Sequence, residues 1–140
     1  MLLKRTCALL TIILKLINMA KTILVIEDDK FLRELLVRKI VSEEFSVLEA
    51  ETGEEGIEKI KNEKPDLVLL DIILPGIDGI EVLRKAKEDK DTKSIPIMIL
   101  SNLAGPEEIE RGIKMGAVDY LIKAHLTPRE IVEKAKEFFK

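Results

Sequence analysis

The residues able to do chemistry stand at the ends of short apolar runs. Residues 23–26 lead into Glu27, Asp28 and Asp29, and residues 67–70 into Asp71. Residues 97–100 lead into Ser101, and residues 120–122 into Lys123. Carboxylates crowded at one place repel and call for a compensating cation. Mg²⁺ suits Asp28 and Asp71, being hard, octahedral and able to keep waters while bridging carboxylate and phosphate oxygens. Asp71 sits alone at its strand end, exposed enough to attack, and a carboxylate that attacks phosphorus yields an acyl phosphate. Lys123 offers a positive charge, and Ser101 a hydroxyl donor, to a phosphoryl group.

These groups meet only if the runs are strands pointing one way. Apolar runs this short, separated by helix-like segments, read as buried strands of a parallel sheet. Their C-terminal ends share one edge, where open α/β sheets place their sites. From Lys21 the chain alternates strand and helix five times. Strands are predicted near 22–26, 45–50, 67–70, 97–100 and 117–122, the second of them near an edge. Helices are predicted near 30–41, 52–62, 80–89, from Pro106 to Gly116, and from Thr127 onward. Phe31, Leu32, Leu35, Leu36 and Ile40 recur at helical spacing in the first of these helices. Thr52 with Glu55, and Thr127 with Glu130, have the spacing of capping boxes. The layout is a doubly wound (βα)₅ sandwich with right-handed crossovers.

With 140 residues and a net charge of −3, the chain suits one domain with a single core. Aromatic residues are few, and the domain has no basic stripe, so direct binding of nucleic acid is not expected. The single Cys7 and single His125 argue against a zinc enzyme and allow no intrachain disulfide. His125 reads as an exposed loop residue. Residues 1–18 carry Lys4, Arg5 and Lys15 and no acid. On a helical wheel Lys4, Thr11, Lys15 and Asn18 share one side of a mostly apolar stretch. Residues 1–20 are therefore set apart from a domain at 21–140. They are either upstream sequence ahead of a start at Met19, or an amphipathic helix that would touch a membrane or partner surface. The stretch falls short of the ~20 apolar residues of a membrane span, and no signal-peptide cleavage site is evident.

Four motifs together resemble a response-regulator receiver domain across residues 21–140. They are Ile23-Leu24-Val25-Ile26-Glu27-Asp28-Asp29, Pro65-Asp66-Leu67-Val68-Leu69-Leu70-Asp71, Pro75-Gly76-Ile77-Asp78-Gly79 and Gly116-Ala117-Val118-Asp119-Tyr120-Leu121-Ile122-Lys123. The resemblance implies a flavodoxin-like sheet of order 2-1-3-4-5. It implies that Asp71 accepts a phosphoryl group from a sensor histidine kinase or a histidine phosphotransfer protein. By position Asp28 and Asp71 would ligate Mg²⁺ with the backbone carbonyl of Ile73, and Glu27 would support the ion. Ser101 and Tyr120 match the family's switch pair, and Lys123 its lysine. Three positions depart from the pattern. Ala124 follows Lys123 where the family has a Pro, so the loop is expected to take another path. Ile73 is apolar where a polar residue is frequent, and Asn102 stands where a small one is common. Both would border the phosphorylation cleft and modulate it.

The chain ends with its last predicted helix, so a stand-alone, cytoplasmic switch acting by protein–protein contact is expected. It would be no enzyme beyond slow self-dephosphorylation, and these residues do not specify its downstream target. A phosphorelay shuttle is the alternative within signalling. A phosphatase of the haloacid-dehalogenase type is disfavoured, because the run from Asp71 to Pro75 has no second Asp to act as acid or base. A nucleotide-binding module is weaker still, since no Gly-rich loop follows the first strand.

Overall fold

The computed structural model describes residues 2–19 and 21–140, with nothing said of the side chains at 2–4, 14, 15 and 17–19. The elements run α1 (Leu2–Met19), β1 (Thr22–Ile26), α2 (Lys30–Ser42), β2 (Ser46–Ala50), α3 (Gly53–Glu63) and β3 (Leu67–Leu70). They continue with α4 (Gly79–Glu88), β4 (Ile97–Ser101), α5 (Pro106–Lys114), β5 (Asp119–Ile122), a 3₁₀ turn (Lys123–His125) and α6 (Pro128–Phe138). The five strands form one parallel sheet of order β2-β1-β3-β4-β5. This is the doubly wound α/β sandwich expected from the alternation of strand and helix, with the flavodoxin-like strand order that the resemblance implies.

The central strands are buried on both faces, which is why they read as unbroken apolar runs. Alternate residues serve alternate faces. Leu24, Ile26, Val68, Leu70, Ile97 and Ile99 pack with Ile60 of α3 and Val82, Leu83 and Ala86 of α4. Ile23, Val25, Leu67, Leu69, Met98 and Leu100 pack with Leu36 and Ile40 of α2 and Ile131, Val132 and Ala135 of α6. Each such Leu or Ile contributes roughly 1.5–3 kcal/mol on burial, so the sheet holds its edge in place.

Several local expectations change. The inward stripe of α2 is Arg33, Leu36 and Ile40, while Phe31 is 72% exposed. An arginine replaces an aromatic residue in the core face because its guanidinium finds acceptors there. Thr52 does cap α3, accepting from the Glu55 N–H at 3.1 Å. The return bond of a capping box is missing, since the Glu55 carboxylate accepts from the Glu51 N–H instead, at 3.2 Å. The box at Thr127 and Glu130 is complete. β5 starts at Asp119 rather than Ala117, because Gly116 takes a left-handed φ of 109° before the strand begins.

Residues 2–19 are helical, and Leu9, Leu10, Ile12, Ile13 and Leu16 are exposed. The side chains of Lys4, Lys15 and Asn18 lie outside the described residues, as do Met1 and Ala20. Thr11 bonds back to the Cys7 carbonyl at 2.9 Å. Among the described residues no helix is long and apolar enough to cross a membrane.

Candidate functional site

The order of the sheet reverses between β1 and β3, the place where open α/β sheets leave a crevice. Glu27 stays in the plane of the sheet, its N–H bonded to the Ala50 carbonyl at 3.0 Å. The Asp71 N–H bonds to the Ile26 carbonyl, also at 3.0 Å, so the acidic residues after β1 and β3 come side by side. The third carboxylate is Asp28, and ligand oxygens of Glu27, Asp28 and Asp71 lie within 4.8 Å of one another. Asp29 is not part of this trio. It caps α2, accepting from the Leu32 N–H at 3.2 Å.

Lys123 reaches over from the end of β5. Its Nζ stands 2.8 Å from Asp71 Oδ2 and 2.5 Å from Glu27 Oε1. Glu27 Oε1 is buried and meets no hydrogen-bond donor in good geometry, so the ammonium serves it as an ion partner. Burial raises the Glu27 carboxyl to about 7, Lys123 opposes that rise, and the neighbouring Asp71 charge adds to it. Burial acts against the Lys123 ammonium, but its ion pairs with Asp71 and Glu27 outweigh it and hold its pKa above the ordinary value.

Asp71 is less open than expected. The Asp71 side chain is only 7% exposed. It reaches solvent through a cleft of about 240 Å³ lined by Glu27, Asp28, Asp29, Asp71, Ile73, Asn102 and Lys123. Asp71 Oδ1 accepts from the Ile73 N–H at 3.2 Å, while the Ile73 side chain points away from the core and is 60% exposed. The backbone behind Asp71 is closely backed. A Cβ at Gly79 would lie 2.1 Å from the Asp71 carbonyl oxygen, so only glycine lets α4 start there.

Ser101 and Tyr120 do not line this cleft. Ser101 is buried, and its Oγ accepts from the Leu103 N–H at 3.1 Å. Tyr120 lines a separate cavity of about 210 Å³ with Ile72, Asp78, Ile80, Leu103, Glu108 and Arg111. Its hydroxyl donates to the Leu103 carbonyl at 2.6 Å. Among the described residues there is no cis peptide bond, and at Lys123 the chain enters the 3₁₀ turn. His125 in that turn is exposed.

Sequence reasoning missed Arg33 and Leu103. Arg33 carried a signal, being three and seven residues before Leu36 and Ile40 on one helical face. Leu103 carried none, because it acts through its backbone.

The donor set fits a hard divalent cation. All three side chains offer carboxylate oxygens, and the two buried ones share a single ammonium. The arrangement can hold such an ion and present Asp71 to an electrophile beside a fixed positive charge.

A family model described as response regulator receiver domain matches residues 23–136. The phosphate regulon transcriptional regulatory protein PhoB of Pseudomonas aeruginosa is 38% identical over 116 residues, covering 83% of this chain and 50% of that protein. The chain thus spans about half the length of this curated relative. A CheY-like receiver domain from Methanospirillum hungatei superposes with a TM-score of 0.77 at 32% identity, over 84% of this chain and 92% of the other. The Mn²⁺-bound form of the response regulator Rcp1 gives 0.76 at 25% identity, over 85% and 94%.

Proposed function

The chain belongs to the response regulator receiver domain family of two-component signalling, and from that premise we propose that Asp71 is its phosphoacceptor. The observation that carries the reading is the meeting of Glu27, Asp28 and Asp71 under the Lys123 ammonium. An Asp71 carboxylate oxygen attacks phosphorus. The bond from phosphorus to a kinase or phosphotransfer histidine nitrogen breaks, and its electron pair leaves with the imidazole. Lys123 holds the phosphoryl oxygens by charge, and Ser101 donates its hydroxyl to one of them. Asp28, Asp71 and the Ile73 carbonyl would hold Mg²⁺, and Glu27 would support it. The bound ion would offset the negative charge of the carboxylates and the incoming group. The metal-bound form of a receiver relative is consistent with this.

The receiver unit is residues 21–140, and the protein acts as a cytoplasmic phosphoacceptor switch rather than as an enzyme. Its kinase and target are protein partners, and Tyr120 carries the change at Ser101 outward to them. The test uses acetyl phosphate and Mg²⁺, with borohydride trapping and mass spectrometry. The parent should be labelled at Asp71, with no labelling in EDTA or in Asp71→Asn. Undiminished labelling of Asp71→Asn would overturn the reading.

A further inference from the structure

Arg33 is a charged residue in a core position. It is 5% exposed and shares the inward face of α2 with Leu36 and Ile40. A buried cation is costly unless its donors are paired in good geometry. Arg33 meets three acceptors. Nη1 donates to the Glu27 backbone carbonyl at 2.7 Å, Nη2 to Glu51 Oε1 at 2.8 Å and Nε to Glu49 Oε1 at 3.3 Å. The two carboxylates are exposed and stand near the end of β2 and just beyond it.

The Glu27 carbonyl is the place of interest. β1 ends at Ile26, and the Glu27 N–H is already bound to Ala50. The carbonyl is half of the peptide that carries Asp28. A guanidinium fork is planar and rigid, so it fixes a carbonyl more firmly than an ammonium can. Arg33 is in turn anchored from β2 through Glu49 and Glu51. Outer partners that orient metal ligands typically contribute about 10–100-fold in affinity.

We infer that Arg33 is a positioning residue for the divalent-cation site, holding the peptide between Glu27 and Asp28 so that Asp28 faces Asp71. This rests on the reading of Glu27, Asp28 and Asp71 as a Mg²⁺ site. The sign of the effect separates this role from the alternatives. Acting only as a nearby charge, Arg33 would repel Mg²⁺, and its removal would tighten binding. Acting only as packing, its removal would lower stability and leave Mg²⁺ affinity alone. Acting by position, its removal weakens binding although a positive charge has been taken away.

The experiment titrates Mg²⁺ by calorimetry into the parent, Arg33→Met, Arg33→Lys and Asp28→Asn, with the urea midpoint and the Asp28 amide nitrogen shift of each. Arg33→Met should bind roughly tenfold more weakly and move the Asp28 amide. Arg33→Lys keeps the charge and guards against misfolding of the Met variant. It should fall between the parent and Arg33→Met, with a moved Asp28 amide. Unchanged or tighter Mg²⁺ binding in Arg33→Met, or in Arg33→Lys should the Met variant not fold, would overturn the inference. A parent that binds no Mg²⁺, or an Asp28→Asn variant that binds as well as the parent, would instead overturn the metal site itself and this role with it.

Discussion

Ser101 and Tyr120 hold one residue between them: the Leu103 N–H donates to Ser101 Oγ at 3.1 Å, and the Tyr120 hydroxyl donates to the Leu103 carbonyl at 2.6 Å. A hydroxyl drawn toward a phosphoryl group on Asp71 must give up or bend the first bond. The loop between β4 and α5 then loses half its tether, and the second bond passes the disturbance to β5. Phosphorylation should therefore move amide resonances in α5, β5 and α6 by shifting an existing population. Changes clustered on α2 would refute this path. Tyr120→Phe should already disturb residues 102–105 in the unphosphorylated protein, seen as faster amide exchange.

Ile73 should set the lifetime of the phosphoryl group proposed for Asp71. Hydrolysis of an acyl phosphate needs a water held in line behind the phosphorus. Ile73 lines the cleft, and its side chain has no group to hold that water. Ile73→Asn should shorten the half-life of phospho-Asp71 several-fold, measured by loss of label after removal of the donor. A variant that decays no faster than the parent removes the argument. Asn102 lines the same cleft, so Asn102→Ala should have the smaller effect.

Glu43 ties α2 to α6. Its carboxylate meets Lys39 at 2.9 Å and Lys136 at 3.0 Å. Hydrogen bonds from Lys39 and Lys136 hold its pKa below the ordinary 4.5. A depressed carboxylate stabilises the fold above its unfolded value and loses that contribution as pH falls through the folded one. Glu43→Gln should lower stability by about 0.5–1 kcal/mol at pH 6. The gap should close as the pH falls below 4.5. Urea titrations of both proteins at several pH values check it, and a gap that widens in acid would contradict it.

Gly79 is a packing constraint on Asp71. A methyl group there would meet the Asp71 carbonyl oxygen at 2.1 Å and the Ile72 α-carbon at 2.6 Å. Overpacking of this kind typically costs about 1–3 kcal/mol. Gly79→Ala should lower the melting temperature and slow labelling of Asp71 together, because the strain relaxes by moving that peptide. Normal labelling in a destabilised variant would show that the strain escapes into α4 instead.

The sheet was legible because buried parallel strands must be apolar throughout, and four such runs are visible. The convergence of Glu27, Asp28, Asp71 and Lys123 followed from the shared direction of those strands. What periodicity could not show was which of two overlapping stripes of α2 turns inward. Phe31 has the hydrophobic claim to the core, yet Arg33 takes a core position because Glu27, Glu49 and Glu51 surround it. Those partners come from the residue after β1, from β2 and from the residue after β2, so only the tertiary fold reveals them. Glu55 is a similar case, since the Glu51 N–H donates to the carboxylate that a capping box would pair with the Thr52 N–H. The depth of Asp71 was hidden for the same reason, because Lys123 closes over it from a distant part of the chain.

The loop from Asp71 to Gly79 is tied down at intervals. The Gly79 N–H bonds to the Ile72 carbonyl at 2.7 Å, and the Ile77 N–H bonds to Glu54 at 3.1 Å. Leu74 is buried between these ties, while the Ile73 side chain stands free. With Ile73 governing the lifetime of phospho-Asp71 as proposed, timing and architecture would rest on different residues. Exchange at position 73 should then lengthen or shorten a signal without touching the ties that keep the loop folded. A scaffold built this way would let one frame run at different speeds.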